Sequence, residues 1–193
     1  MGGKTVIITA PSGGGKSTVI KHLLGIHDLH LEFSVSACTR QMREGEADGR
    51  DYYFMSVDTF KNKIEEDEFV EWEEVYKNHY YGTLKSELQR IWDAGHNILF
   101  DVDVMGGLSL KQKFGDQALG VFIMPPSLEV LKQRLEKRGT DSEIELENRL
   151  NKASLEIKYA CKFDITLVNN QLEDTLQQAE LLARNFIENQ SLK

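Results

Sequence analysis

Lys16 and Ser17 close the run Ala10-Pro11-Ser12-Gly13-Gly14-Gly15-Lys16-Ser17-Thr18. The run follows the apolar stretch Val6-Ile7-Ile8-Thr9 and precedes a helical pattern. Glycines at this spacing let the backbone curl until successive N–H groups converge on a polyphosphate. A lysine ammonium then meets the β and γ groups, and a serine hydroxyl can ligate Mg2+. Ala10 stands where the G-x-x-x-x-G-K-[ST] pattern has its first glycine, a difference of one methyl. The alternative, a glycine-rich turn with a surface lysine, does not account for the strand–loop–helix order. Phosphate chemistry on a nucleoside triphosphate such as ATP is the expectation.

A second set of groups lies further along. Arg40 and Arg43 sit in Thr39-Arg40-Gln41-Met42-Arg43-Glu44-Gly45-Glu46, just after a second apolar run. Two guanidiniums in a loop can hold a dianionic phosphate monoester, with Tyr52 and Tyr81 as hydroxyl donors, although taken alone such arginines also suit an ordinary surface. Glu71, in Phe69-Val70-Glu71-Trp72, is flanked by large apolar side chains. A carboxylate there could accept two parallel hydrogen bonds from guanine N1–H and N2–H₂, with Ser36 and Thr83 serving the O6 side. Adenine lacks that donor pair, so the same group would reject it. An outward-facing residue of an alternating strand is the competing reading of Glu71. Asn97-Ile98-Leu99-Phe100-Asp101-Val102-Asp103 ends an apolar run in carboxylates. Asp101 and Asp103 could order magnesium waters or touch the acceptor. Arg134, Arg138 and Arg149 bracket Gly139-Thr140-Asp141-Ser142, where a closing lid could bring them to the transferring phosphoryl group; Arg149 could equally pair with Glu145, four residues earlier.

Buried strands must position these groups. Apolar runs at Val6–Ala10, Leu31–Ser36, Ile98–Val102, Leu119–Met124 and Phe163–Val168 alternate with helical patterns after the P-loop and over Ser127–Arg138, Ser142–Ala160 and Leu172–Glu188. The result is an α/β, doubly wound parallel sheet with ligands at the carboxyl ends of its strands. The segment Gly45–Gly82, with a helix over Val57–Glu65, breaks the rhythm and suggests a small α+β lobe inserted between the second and third main strands.

The chain has 193 residues, 40% of them hydrophobic and 28% charged, which suits one domain with a sizeable core. Its 23 basic and 31 acidic residues give a formal net charge of −8. That balance argues against nucleic acid or an anionic membrane as a general partner. Cys38 and Cys161 form no metal or disulfide pattern, so reduced thiols in the cytoplasm are expected.

Phe33-Ser-Val-Ser-Ala-Cys-Thr-Arg40, Arg43-Glu-Gly-Glu46, Gly49-Arg-Asp-Tyr52, Phe69-Val-Glu-Trp72 and Tyr81-Gly-Thr83, following that P-loop, resemble in order and spacing the signature blocks of the guanylate kinase family. The likeness runs from the P-loop to Asn169. It implies ATP + GMP ⇌ ADP + GDP, dGMP included, with Mg2+ accompanying ATP. A single domain is implied, with core 1–36 and 84–193, a GMP lobe at about 37–83 and a lid at about 138–150. Position by position, Ser36, Glu71 and Thr83 would contact guanine; Arg40, Arg43, Tyr52 and Tyr81 would hold the GMP phosphate; Glu46 would orient the arginines; and Asp101 and Asp103 would lie near the guanosine or the metal. Arg138 and Arg149 would face the transferring phosphates, and Arg134 and Asn169 the adenine side. Met105 departs from the glutamine common in the family. The alternatives are an interaction module that binds phosphopeptides through the arginine cluster, or another P-loop small-molecule kinase.

Overall fold

The computed structural model describes residues 3–139 and 143–189, excluding the side chains of Tyr76 and Arg138. The expected cap at Ser142 and the lid turn at Thr140–Ser142 lie outside the described residues. In chain order the elements are β1 (Thr5–Thr9), α1 (Lys16–Leu24), β2 (Leu31–Phe33), β3 (Ala37–Cys38), β4 (Tyr53–Phe54), α2 (Val57–Glu65), β5 (Phe69–Tyr76), β6 (His79–Leu84), α3 (Lys85–Asp93), β7 (Asn97–Asp101), α4 (Val104–Phe114), β8 (Ala118–Met124), α5 (Leu128–Arg138), α6 (Glu143–Glu156), β9 (Ile165–Val168) and α7 (Leu172–Ile187).

Five strands form a parallel sheet in the order β2-β7-β1-β8-β9. Alternation along β1 explains its two covered faces. Val6 and Ile8 pack with α1 and α7 through Val19, Leu23, Ala179 and Ala183, while Ile7 turns to α3 and α4 through Leu88, Ile91 and Leu110. Between β2 and β7 the chain makes a second, mixed sheet, β4-β3-β6-β5, whose own core is Ala37, Phe60, Phe69, Tyr80 and Leu84. This is the inserted lobe, and α2 spans Val57–Glu65, where the sequence places it, capped by the Ser56 hydroxyl on Thr59 N–H at 3.0 Å.

Several boundaries differ from the apolar runs. The second strand stops at Phe33 because Ser34–Ser36 leaves the sheet for the lobe, although Ser34 N–H still reaches Leu99 O at 3.0 Å. The last strand starts only at Ile165, since the Asp164 carboxylate turns back to accept from Gly120 N–H at 2.7 Å. The long sixth helix ends at Glu156 and tightens into a 3₁₀ turn over Ile157–Lys162. Helices α3 and α4 go beyond the helices read from the sequence; both are short, and their charged or glycine-containing sequences obscure the apolar period. Ser127 caps α5 by accepting from Val130 N–H at 3.1 Å, and Gly139 ends it at φ +66°.

Candidate active site

The P-loop joins the end of β1 to the start of α1, and its glycines are there for space. Gly15 has φ +105°, and a Cβ on it would stand 2.3 Å from Asn169 Nδ2. A Cβ on Gly14 would stand 2.9 Å from Pro11 O and 3.0 Å from the Ala10 methyl. Ala10 is buried and packs into the main core, so its methyl is accommodated rather than opposed. Asn169 and Arg134 brace the loop from beneath. Asn169 Nδ2 donates to Gly14 O at 2.9 Å, Thr175 Oγ1 donates to Asn169 Oδ1 at 3.3 Å, and Arg134 Nη2 donates to Asn169 O at 2.9 Å. The Asn169 side chain, expected beside a base, is buried here and engaged with the loop backbone.

Above the loop opens a cleft of about 730 Å³, lined by Ala10–Gly13, Gly15–Thr18, Asp103 and one face of α6. That face comprises Glu145, Asn148, Arg149, Lys152 and Glu156, spaced as one helical stripe. Arg149 Nη1 donates to Ser12 Oγ at 2.7 Å, which draws α6 over the loop. Lys152 and Glu156 were not singled out from sequence, although their spacing from Arg149 carries the signal. Lys152 Nζ stands 3.9 Å from Asp103 and 3.6 Å from Glu156, whose carboxyl is pushed up by burial, with Lys152 opposing. Lys16 Nζ pairs with Asp101 and donates to Val102 O at 3.1 Å.

A second pocket of about 270 Å³ lies between the lobe and the end of β7, lined by Ser36, Tyr52, Glu71, Glu73, Val75, Tyr81, Gly82, Asp101, Val102, Asp103 and Gly106. Asp103 lines both pockets, so the two spaces meet at one carboxylate; it also caps α4, accepting from Gly106 N–H at 2.9 Å. Glu71 and Thr83 face each other across β5 and β6, and Thr83 Oγ1 donates to Glu71 Oε1 at 2.7 Å. Burial pushes the Glu71 carboxyl up; the Thr83 hydrogen bond opposes this and the Asp103 charge adds to it. Thr83 is itself fully buried and meets the pocket through Glu71.

Arg40 sits beside this pocket, against the lining residue Tyr52. Arg40 grips Glu46 in a two-pronged contact at 2.7 and 2.6 Å, and its guanidinium lies 4.8 Å over the Tyr52 ring. Glu46 also accepts from Arg43 N–H at 2.8 Å; Arg40 first and this amide second hold its carboxyl down at about 2. Tyr52 and Tyr81 meet edge to face at 6.0 Å. Ser36, Tyr52, Glu71, Tyr81, Asp101 and Asp103 are therefore gathered in one place, with Arg40 and Glu46 beside Tyr52 and Arg43 joined to Glu46 through its backbone N–H. Met105 is half-exposed and lies outside the lining.

A glycine-rich loop between a strand and a helix, its cleft sharing one carboxylate with a smaller pocket that has Arg40 beside it, has the arrangement of a P-loop kinase with a second, small phosphorylated substrate. The sequence profile of the family described as Guanylate kinase matches residues 2–185, and the chain belongs to that family. A guanylate kinase of Porphyromonas gingivalis is 51% identical over 184 residues, covering 95% of this chain and 98% of its own length. One from Bacteroides thetaiotaomicron is 43% identical over 187 residues, covering 97% and 91%. The crystal structure of guanylate kinase from Anaplasma phagocytophilum superposes with a TM-score of 0.73 at 30% identity, covering 95% of this chain and 85% of that one. The phosphopeptide-module reading is not favoured.

Proposed function

We propose that the protein transfers the γ-phosphoryl group of ATP to GMP or dGMP, giving ADP and GDP. The observation that carries this reading is Glu71: a desolvated carboxylate, fixed by Thr83, in a pocket that shares Asp103 with the P-loop cleft. Its free oxygen and its partly engaged one suit the paired N–H donors of guanine, and Ser36 suits O6. A base without those donors leaves the buried charge unmatched, a penalty of roughly 1–3 kcal/mol or more.

Catalysis follows from placement. The loop N–H groups and Lys16 hold the ATP phosphates; Lys16 exchanges its Asp101 and Val102 partners for phosphate oxygens. Arg40 and Arg43, with the Tyr52 and Tyr81 hydroxyls, hold the GMP phosphate, and Glu46 orients the arginines. That phosphate is already ionised near neutrality, so no side chain must remove a proton. Arg149, drawn to Ser12 across the loop, and Arg138 on the neighbouring helix neutralise charge as the phosphoryl group moves. Arg134 and Asn169 serve the ATP side by bracing the loop. The core is 1–36 and 84–193, the lobe about 37–83, and the lid about 138–150.

Ser17 and Asp101 present the hard oxygen donors that Mg2+ prefers, with phosphates and water completing the set. When bound there, the ion supplies charge neutralisation between the phosphates. ADP formation from MgATP with GMP, dGMP, AMP, IMP or a ribosyl phosphate as acceptor tests the reading. Turnover confined largely to GMP and dGMP is expected; turnover with AMP at a comparable rate would overturn the role of Glu71.

A further inference from the structure

Glu87 lies in the first turn of α3, where the chain returns from the lobe to the core, and it is only 2% exposed. Among the described residues, four hydrogen bonds converge on its carboxylate. Val35 N–H donates to Oε1 at 2.9 Å and the Tyr53 hydroxyl to Oε2 at 2.8 Å. Arg90 donates from Nη2 to Oε1 and from Nε to Oε2, both at 2.9 Å. Arg90 then reaches Glu32 on β2 at 2.6 Å, tying the cluster to the core sheet.

Two of these donors are neighbours of the smaller pocket. Val35 precedes Ser36, and Tyr53 follows Tyr52; Ser36 and Tyr52 both line that pocket. Successive side chains of an extended chain point to opposite sides, so the pocket takes Tyr52 while the Tyr53 hydroxyl reaches Glu87 behind it; next to Ser36, Glu87 holds the chain itself, through the Val35 backbone N–H. Apolar groups of similar size would bury as well in such a place. A charge met by four donors instead selects one geometry, because any displacement strands a buried carboxylate.

We propose that Glu87 is a positioning residue for the acceptor nucleotide: from behind the pocket it fixes Ser36 through Val35 and Tyr52 through Tyr53, and so sets GMP affinity without touching GMP. This rests on the smaller pocket being the GMP site. Nothing in the cluster lines the P-loop cleft, so ATP binding is independent of it.

The test is steady-state kinetics of the full chain and its variants Tyr53→Phe and Glu87→Gln, with thermal melting alongside. Tyr53→Phe removes one hydroxyl from the rim of the cluster and keeps the fold. It should raise KM for GMP by roughly three- to tenfold, as expected for a residue that acts through packing and hydrogen bonds, with KM for ATP within about twofold. Glu87→Gln, whose amide NH₂ cannot accept from the Arg90 or Val35 N–H that one carboxylate oxygen now serves, should do the same more strongly. Adding Tyr53→Phe to it should cost less than Tyr53→Phe alone, because both act through one cluster. A lowered melting temperature with KM for GMP unchanged in Tyr53→Phe would make the cluster merely structural and overturn the proposal. KM values for GMP and ATP rising together would overturn it as well. Failure of the unaltered protein to use GMP would instead overturn the reading of the pocket, and the proposal with it.

Discussion

At Glu71 the requirements of stability and recognition conflict. Ionisation of a buried carboxylate opposes folding, and the Thr83 hydroxyl only partly relieves it. Glu71→Gln keeps the shape and removes the charge. It should raise KM for GMP by about a hundredfold, since charged hydrogen bonds are worth roughly 1.5–3 kcal/mol each, and leave KM for ATP nearly unchanged. Its melting temperature near neutral pH should equal or exceed that of the parent, which differential calorimetry would check. The raised Glu71 carboxyl also predicts a pH dependence. Protonation removes an acceptor that guanine needs, so KM for GMP rises as pH falls through the elevated Glu71 value, sooner than for an ordinary glutamate. The Thr83 bond favours the ionised form, so Thr83→Val should move this rise to still higher pH. A KM profile that does not shift in Thr83→Val would separate Glu71 from guanine recognition.

Among the elements, the P-loop has the least room to change. Gly15 combines a left-handed backbone with a near approach to Asn169, so a methyl there meets two objections at once. Gly15→Ala should abolish measurable ATP binding by calorimetry while GMP still binds. Combining it with Asn169→Ala removes the clash but not the strain at φ +105°, so ATP affinity should return only in part. Full recovery would mean that the Asn169 contact alone dictates the glycine. The same contact explains why a buried asparagine ends β9. Its amide satisfies a loop carbonyl that would otherwise be unpaired, and with Thr175 and Arg134 it links the edge of the sheet to the phosphate cradle.

Across the whole molecule the acidic groups divide by task. Those gripped by donors are depressed: Glu46 by Arg40, Asp28 by Arg184, and Glu32 and Glu87 by hydrogen bonds that outweigh burial. Three that line the two pockets, Glu71, Glu73 and Glu156, are raised by burial. A depressed carboxyl stabilises the fold above its unfolded value, and that contribution disappears as pH falls through its folded one. The melting temperature should therefore fall from the ordinary glutamate value of 4.5 down towards about 2, where Glu46 titrates. Glu71, Glu73 and Glu156 act in the opposite sense, destabilising the fold when ionised. Glu46→Gln should lower the melting temperature at neutral pH and flatten its acid limb, and thermal scans across pH would show it. An acid limb as steep as the parent's would remove Glu46 from the groups responsible.

Local chemistry made much of this protein legible from residue order alone. A P-loop is contiguous, so three glycines, a lysine and a serine after an apolar strand announce it, and Ser36, Glu71 and Tyr81 stand in family blocks that survive as short strings. The parallel sheet and the inserted lobe follow from apolar runs and the break in their rhythm. Side-chain partnership is different, because it depends on which surfaces the fold brings face to face. Asn169 reads as a residue at the end of a strand, and only the fold, which brings the end of β9 across β8 to the P-loop, turns its amide onto Gly14. Glu87 reads as one more charge on a short helix until the lobe folds back and buries it among Val35, Tyr53 and Arg90. The meeting of two pockets at Asp103 likewise arises from the crossing of β7, α4 and α6, elements far apart in the chain. Sequence spacing encodes neighbours along a strand or a helix turn. Contacts between residues distant along the chain are set by how its layers pack.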